Sequence, residues 1–166
     1  MTIALPDSMS FEEGSTLPLA TITACLVIFQ QLGFPLPGTG KKNVPFLVWG
    51  GASSVGMYAI QFAALAGATV IATASKDNHD LLKSLGAKYT FDYKDSDVID
   101  QIKKAAGGEV EYGIDCVSLQ ENVGQAAKAY GSNGKIGLIL PVDKSKSGDS
   151  IEHKNVIMYE SAMSEE

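Results

Sequence analysis

Val44-Pro45-Phe46-Leu47-Val48-Trp49-Gly50-Gly51-Ala52-Ser53-Ser54-Val55-Gly56 is the stretch that decides the fold. Its first six residues are almost wholly apolar, as suits a parallel strand covered by helices on both faces. Gly50 and Gly51 break the run, because a backbone without Cβ can bend sharply and approach a ligand closely. Gly56, five residues after Gly51, lets a following helix pack close to the strand. Met57 to Ala66 is alanine-rich and apolar around most of its circumference, which predicts a buried helix. Ala68-Thr69-Val70-Ile71-Ala72-Thr73 then reads as a second strand.

Strand, glycine turn, helix and strand together form the context a dinucleotide-binding turn requires. The helix N-terminus offers backbone N–H groups and the positive end of its dipole to a pyrophosphate. The pattern departs from strict G-x-G-x-x-G, since Ser53 stands where the second glycine belongs, and a glycine turn can also serve packing alone. A hydrolase nucleophile elbow is excluded, because the turn lacks glycines flanking a serine at two-residue spacing.

The end of the second strand discriminates between cofactors. An NAD site places Asp or Glu there, roughly 20 residues past the glycines, to bind ribose hydroxyls. Here Thr73-Ala74-Ser75-Lys76 offers a hydroxyl and a cation, which would neutralise a 2′-phosphate rather than repel it. The residues therefore favour NADP(H) over NAD, with Asp77 as the nearby opposing charge. The alternative is that Ser75 and Asn78 only cap the helix beginning near His79. A methyltransferase-like reading would want an acid in place of Ser75.

Outward from this unit the alternation continues. Ser10-Phe11-Glu12-Glu13 has capping-box spacing, Pro18 restarts a helix over Leu19 to Leu32, and Gly33 ends it. Downstream, the sequence predicts a helix over His79 to Leu85, a strand over Tyr89 to Tyr93 and an amphipathic helix closed by Gly107-Gly108. A strand follows over Tyr112 to Val117. Ser118-Leu119-Gln120-Glu121 is a second capping box, with Val123, Ala126, Ala127 and Tyr130 at helical spacing behind it. Gly131 to Gly134 reads as a turn before a strand over Lys135 to Leu140, and Val156 to Tyr159 as a sixth, edge strand. The expected fold is one α/β domain over residues 1–166, a doubly wound parallel sheet (Rossmann fold) in three α/β/α layers with a helical lead-in over 1–34.

Composition narrows the function classes. A net charge of −6 without a basic stripe excludes nucleic acid as a partner. Apolar runs such as Leu17 to Phe29 fall short of the roughly 20 residues of a bilayer span, so no membrane association is expected. The N-terminus shows no secretory signal pattern. Cys25 and Cys116 both sit in apolar runs and are expected to be buried free thiols of a reducing, cytoplasmic setting. His79 and His153 lack neighbouring ligands, so no metal site is expected from this chain.

The chain resembles the cofactor-binding half of the medium-chain dehydrogenase/reductase superfamily, in the zinc-independent branch that includes quinone oxidoreductases and fungal trans-acting enoyl reductases. The resemblance runs from about Leu5 to Tyr159, through Met9-Ser10-Phe11-Glu12-Glu13-Gly14, Val48-Trp49-Gly50-Gly51-Ala52-Ser53-Ser54-Val55-Gly56, Ile71-Ala72-Thr73-Ala74-Ser75, Leu85-Gly86-Ala87, Phe91-Asp92-Tyr93 and Ile114-Asp115-Cys116-Val117. It implies that Ser53, Ser54 and Val55 hold the pyrophosphate and that Ser75, Asn78 and Tyr93 bind the 2′-phosphate of NADPH. Lys76 replaces a common proline and would add a charge contact. Val117 and Ser118 would flank the ribose, Leu140 would present backbone to the nicotinamide, and Thr23 would approach the same ring unless it only bonds its own helix.

The resemblance further implies that the full enzyme transfers hydride to an activated alkene, quinone or carbonyl of a small-molecule substrate. Family members carry a barrel-like domain before this one, and the chain is expected to lack it. The isolated chain is therefore expected to be inactive, and no catalytic residue is assigned. The alternative is a non-catalytic NADPH-binding or redox-sensing interaction module. A homodimer joined edge to edge through Val156 to Tyr159 is a further expectation.

Overall fold

A computed structural model describes residues 4–40, 43–142 and 152–155. Ser10 does open the first helix, α1 (Phe11–Thr16), by a reciprocal cap: its hydroxyl accepts from the Glu13 N–H, and the Glu13 carboxylate accepts from the Ser10 N–H. Pro18 then starts α2 (Pro18–Cys25), which runs on into a π-helical turn, Leu26–Gln31, before Gly33 turns left-handed at φ +63°. The alternating part follows as β1 (Pro45–Trp49), α3 (Ser54–Leu65), β2 (Thr69–Thr73), α4 (His79–Ser84), β3 (Tyr89–Phe91), α5 (Val98–Ala106), β4 (Val110–Asp115), α6 (Gln120–Ala127), β5 (Tyr130–Leu138) and β6 (Glu152–Asn155).

The strands form a six-stranded sheet in the order β3-β2-β1-β4-β5-β6, with every pairing parallel. The doubly wound expectation holds. Successive side chains of a strand point to opposite faces, so Phe46 and Val48 join one core and Leu47 and Trp49 the other. The first core packs α3 and Leu82 of α4 over β1 and β2, and the lead-in over the rest of that face. The second lies under α5 and α6, through Val98, Ile102, Val123 and Ala126. Helices change face where the chain crosses from β3 to β4, so β1 and β4 part company at the middle of the sheet.

The lead-in helix Phe11–Gln31 spans 21 residues and holds an 18-residue window of mean hydropathy 1.2, long and apolar enough to cross a membrane by length and composition. That is longer than the run judged from sequence. Its inner face packs on the sheet, where Ala24, Val27 and Ile28 are wholly buried, while 33% of the apolar window as a whole is buried.

Several local expectations are corrected. Ser118 does not cap α6; Leu119 occupies that position without a side-chain cap bond, and Ser118 is left-handed at φ +50°. Tyr130 is the first residue of β5 rather than part of the helix, and pairs with Val110. Gly131 to Gly134 is a bulge inside β5: the register steps from Val110↔Tyr130 to Tyr112↔Lys135, so the extra residues loop out of the ladder. Cys25 is exposed, whereas Cys116 is buried. The strand expected over Val156 to Tyr159 lies outside the described residues; the observed edge strand is Glu152–Asn155.

Candidate functional site

At the carboxyl ends of the strands, where β1 and β4 diverge, the loops enclose a cleft of about 270 Å³. The ends of β1, β2, β3 and β4 each contribute to it. Gly50, Ala52 and Ser53 follow β1; Ala74, Ser75 and Asn78 follow β2; Tyr93 follows β3; Val117 follows β4.

The floor is built from the turn after β1. Gly50 has φ +76°, and a Cβ added there would lie 2.5 Å from Val117 Cγ2, so only glycine leaves the space between the two loops open. Its N–H donates to Thr73 Oγ1 (3.1 Å), which ties the turn to the end of β2. Ser53 caps α3: its hydroxyl donates to Gly50 O (2.9 Å) and accepts from the Gly56 N–H (3.1 Å). A Cβ on Gly56 would run into the backbone of Gly50 and Gly51, so this glycine sets how closely α3 approaches β1. The positive end of the α3 dipole therefore opens beside the cleft.

At the β2 end, Asn78 Nδ2 donates to Ser75 Oγ (2.9 Å), and the His79 ring lies 3.2 Å from Ala74 O through Nε2. Ser75 and Asn78 occupy the N-cap positions of the single turn Lys76–Asn78 and of α4, yet neither side chain caps its helix; they bond each other instead. Asp77 is exposed and does not line the cleft. Tyr93 carries the Lys94 ammonium 5.6 Å from its ring centroid. Lys76 points into solvent, 3.9 Å from Asp95, a contact of little energetic weight at such exposure.

The structure thus brings Ser53, Ser75, Asn78, Tyr93 and Val117 to one cleft. Ser54 and Val55 stand in the first turn of α3. Gly51 lies beneath, its N–H donating to Thr73 O (2.8 Å), and an added Cβ there would meet Leu82, Ile60 and Ala72. Ser118 is buried and Leu140 exposed beyond β5. Thr23 donates to Leu19 O (2.7 Å) within its own helix. Lining residues that the sequence reading passed over are Trp49, Ala52, Thr73 and Ala74. Thr73 carries no signal of its own, since threonine is an ordinary strand residue.

Behind the cleft, burial disfavours the charged forms of three groups. Burial, reinforced by the Asp115 charge, pushes the Cys116 thiol up, partly offset by a hydrogen bond with Ser53. Burial raises Asp115, against the N–H groups of Ser118 and Val117, which lower it. Tyr130 is raised well above its ordinary value by burial and by the same carboxyl. A larger apolar groove of about 650 Å³ lies between α1, α2 and α3, lined by Phe11, Pro18, Tyr58, Phe62 and Leu65, and shares no residue with the strand-end cleft.

A parallel doubly wound sheet with a helix-capped glycine turn opening on its switch-point cleft defines a Rossmann-type nucleotide-binding domain. A family model described as zinc-binding dehydrogenase matches residues 54–164, and the chain belongs to that family, within the medium-chain dehydrogenase/reductase superfamily. It is 42% identical over 155 residues to a zinc-type alcohol dehydrogenase-like protein of Schizosaccharomyces pombe, an alignment covering 90% of this chain and 44% of the relative. To a trans-enoyl reductase of a Fusarium species it is 40% identical over 148 residues, covering 86% and 41% respectively. The CurK enoyl reductase structure superposes with a TM-score of 0.83 at 26% identity, over 97% of this chain and 48% of that one. The chain thus spans less than half the length of these relatives, and corresponds to an oxidoreductase cofactor-binding domain.

The cleft fits a nicotinamide dinucleotide: a turn that a Cβ would fill at Gly50, a helix N-terminus beside it, and hydroxyl and amide groups at one end. Zinc is a different matter. Among the described residues no three His, Cys, Asp or Glu side chains come together, so they furnish no site for the metal the family description names.

Proposed function

We propose that this chain is the NADPH-binding domain of a zinc-independent medium-chain reductase, whose whole enzyme passes hydride to an activated alkene, quinone or carbonyl. The observation that carries the reading is the β2 end of the cleft, where Ser75, Asn78 and Tyr93 converge and no carboxylate intrudes. Asn78 donates to Ser75 Oγ, which leaves the serine proton to be given to an anion. A 2′-phosphate there would accept from Ser75, from the second Asn78 N–H and from the Tyr93 hydroxyl, with Lys76 and Lys94 supplying charge nearby. The reduced nicotinamide supplies the hydride. The protein's share is to bind the two ends of the cofactor, to hold the pyrophosphate at the α3 N-terminus, and to fix the direction in which the ring faces. The similarity to a trans-enoyl reductase favours an activated carbon–carbon double bond among the acceptor classes.

Calorimetric titration of the purified chain with NADPH and NADH at one salt concentration tests the reading. Tighter binding of NADPH is expected, and equal affinity for both would overturn the cofactor assignment. Ser75→Asp places a carboxylate against the phosphate and is expected to weaken NADPH about tenfold or more, from loss of one charge-assisted hydrogen bond, while sparing NADH. Equal loss of both would overturn the role of Ser75. Edge pairing through the last strand into a homodimer belongs to the same proposal, and sedimentation equilibrium of the chain tests it.

A further inference from the structure

On leaving β4 the chain makes a turn that the cofactor reading does not by itself explain. Asp115 is wholly buried, and its Oδ1 accepts from the Val117 N–H (2.8 Å) and the Ser118 N–H (2.9 Å). The Ser118 hydroxyl donates to Asp115 O (2.9 Å) and accepts from the Ile139 N–H (3.0 Å). These bonds hold Ser118 at φ +50°, a conformation that a residue with a Cβ keeps only where its surroundings over-determine it. Asp115 Oδ2 is also buried, without a hydrogen-bond partner among the described residues. A carboxyl placed at such a desolvation cost is poor use of the position if the loop needed only packing.

Direction along the sheet says what this loop faces. Ser75, Asn78 and Tyr93 follow β2 and β3, on one side of Gly50, whereas Val117 follows β4 on the other. With the 2′-phosphate at the first end and the pyrophosphate at the α3 N-terminus, the nicotinamide half must lie over the ends of β4 and β5. Val117 stands there against Gly50, and Ile139 immediately follows β5.

We infer that Asp115 is a positioning residue: with Ser118 it clasps the ends of β4 and β5 together and fixes Val117 and Ile139 as the wall of the nicotinamide half, without acting on the adenosine half. The inference rests on the reading of the cleft as an NADPH site. Ser118 thereby becomes a strap between loops rather than a group that touches the ribose through its hydroxyl.

The test compares NADPH with adenosine 2′,5′-bisphosphate, which carries only the adenosine half, in titrations of the wild type, Asp115→Ala, Asp115→Asn and Ser118→Ala. Asp115→Ala and Ser118→Ala are expected to weaken NADPH about tenfold and to leave the bisphosphate within about twofold. Asn at 115 keeps an acceptor oxygen and is expected to recover most of the NADPH affinity. Nicotinamide fluorescence gives a second readout, since a ring held against the β4 and β5 loops emits differently from one in water; the enhancement on binding is expected in the wild type and Asp115→Asn and absent in Asp115→Ala. Equal weakening of both ligands in folded Ser118→Ala, or no weakening of NADPH in any variant, would overturn the clasp. Should Asp115→Ala fail to fold, Ser118→Ala and Asp115→Asn carry the same comparison. A wild type that binds neither ligand would instead overturn the NADPH reading, and the clasp with it.

Discussion

Asp115 shows how much a single residue conceals in a sequence. It stands in Tyr112-Gly113-Ile114-Asp115-Cys116-Val117 as one acid in an apolar run, a signal that something unusual happens without saying what. Its use depends on Ile139, which is 21 residues from its bonding partner Ser118. Burial raises its pKa above the ordinary 3.8, so the folded chain binds a proton more readily than the unfolded one. The stabilisation from that proton is complete below 3.8 and is lost as pH rises through the higher folded value. Wild type is therefore expected to gain stability relative to Asp115→Asn as pH is lowered from 7 to about 4, read as the difference in urea midpoints. A difference independent of pH would show that the buried carboxyl is not raised. The residues proposed for the adenosine end can be singled out in the sequence for the opposite reason: Ser75 and Asn78 are neighbours there, and the charge argument needs no knowledge of the fold.

Among the elements, two segments with the same S-x-x-E spacing behave differently. Ser10 caps α1 at an exposed helix start, where its hydroxyl accepts from the Glu13 N–H and the Glu13 carboxylate accepts from the Ser10 N–H. Ser118 has the same pattern, but its hydroxyl is claimed by Asp115 O and the Ile139 N–H, so α6 begins at Gln120 without it. Local chemistry proposes a cap and tertiary bonding decides. Tyr130 is a parallel case: it lies at helical spacing from Val123 and Ala126, yet its backbone pairs with Val110. By contrast β1, α3 and β2 were readable because buried parallel strands are continuous apolar runs and the glycine turn separates them. The close approach of α3 to β1 gives a test at this scale. Gly56→Ala would push a methyl to 2.8 Å from Gly51 Cα and 2.9 Å from its carbonyl carbon, backbone atoms that cannot swing aside. Overpacking of this kind costs about 1–3 kcal/mol, and a lowered urea midpoint with weaker NADPH binding is the expected result. An unchanged midpoint would show that the glycine is not needed for the approach.

For the molecule as a whole, the sequence predicts a helical lead-in within the first 34 residues, and the structure, helical from Phe11 to Gln31, shows what it covers. Val27 packs where a side chain on Gly137 of β5 would stand, and Phe34 meets Phe46 and Tyr112 edge-on at 5.0 and 5.3 Å between ring centroids. The lead-in is thus part of the same domain rather than an approach to it. Val27, Ile28, Leu32 and Phe34 are almost fully buried, and at about 1.5–3 kcal/mol each their removal would rival the 5–15 kcal/mol net stability of a typical domain. A chain shortened to begin at Asn43 is expected to lose its cooperative urea transition and to bind a hydrophobic dye. Retention of the full-length midpoint would show that the face over β4 and β5 needs no cover. The turn after β2 stands apart from all of this. Ser75 and Asn78 are held to each other, and His79 to Ala74, by contacts local to that turn. On the proposed reading, a lineage that rewrote those few residues with an acid would change which cellular pool of reducing equivalents the protein draws upon, while its architecture passed unaltered to its descendants.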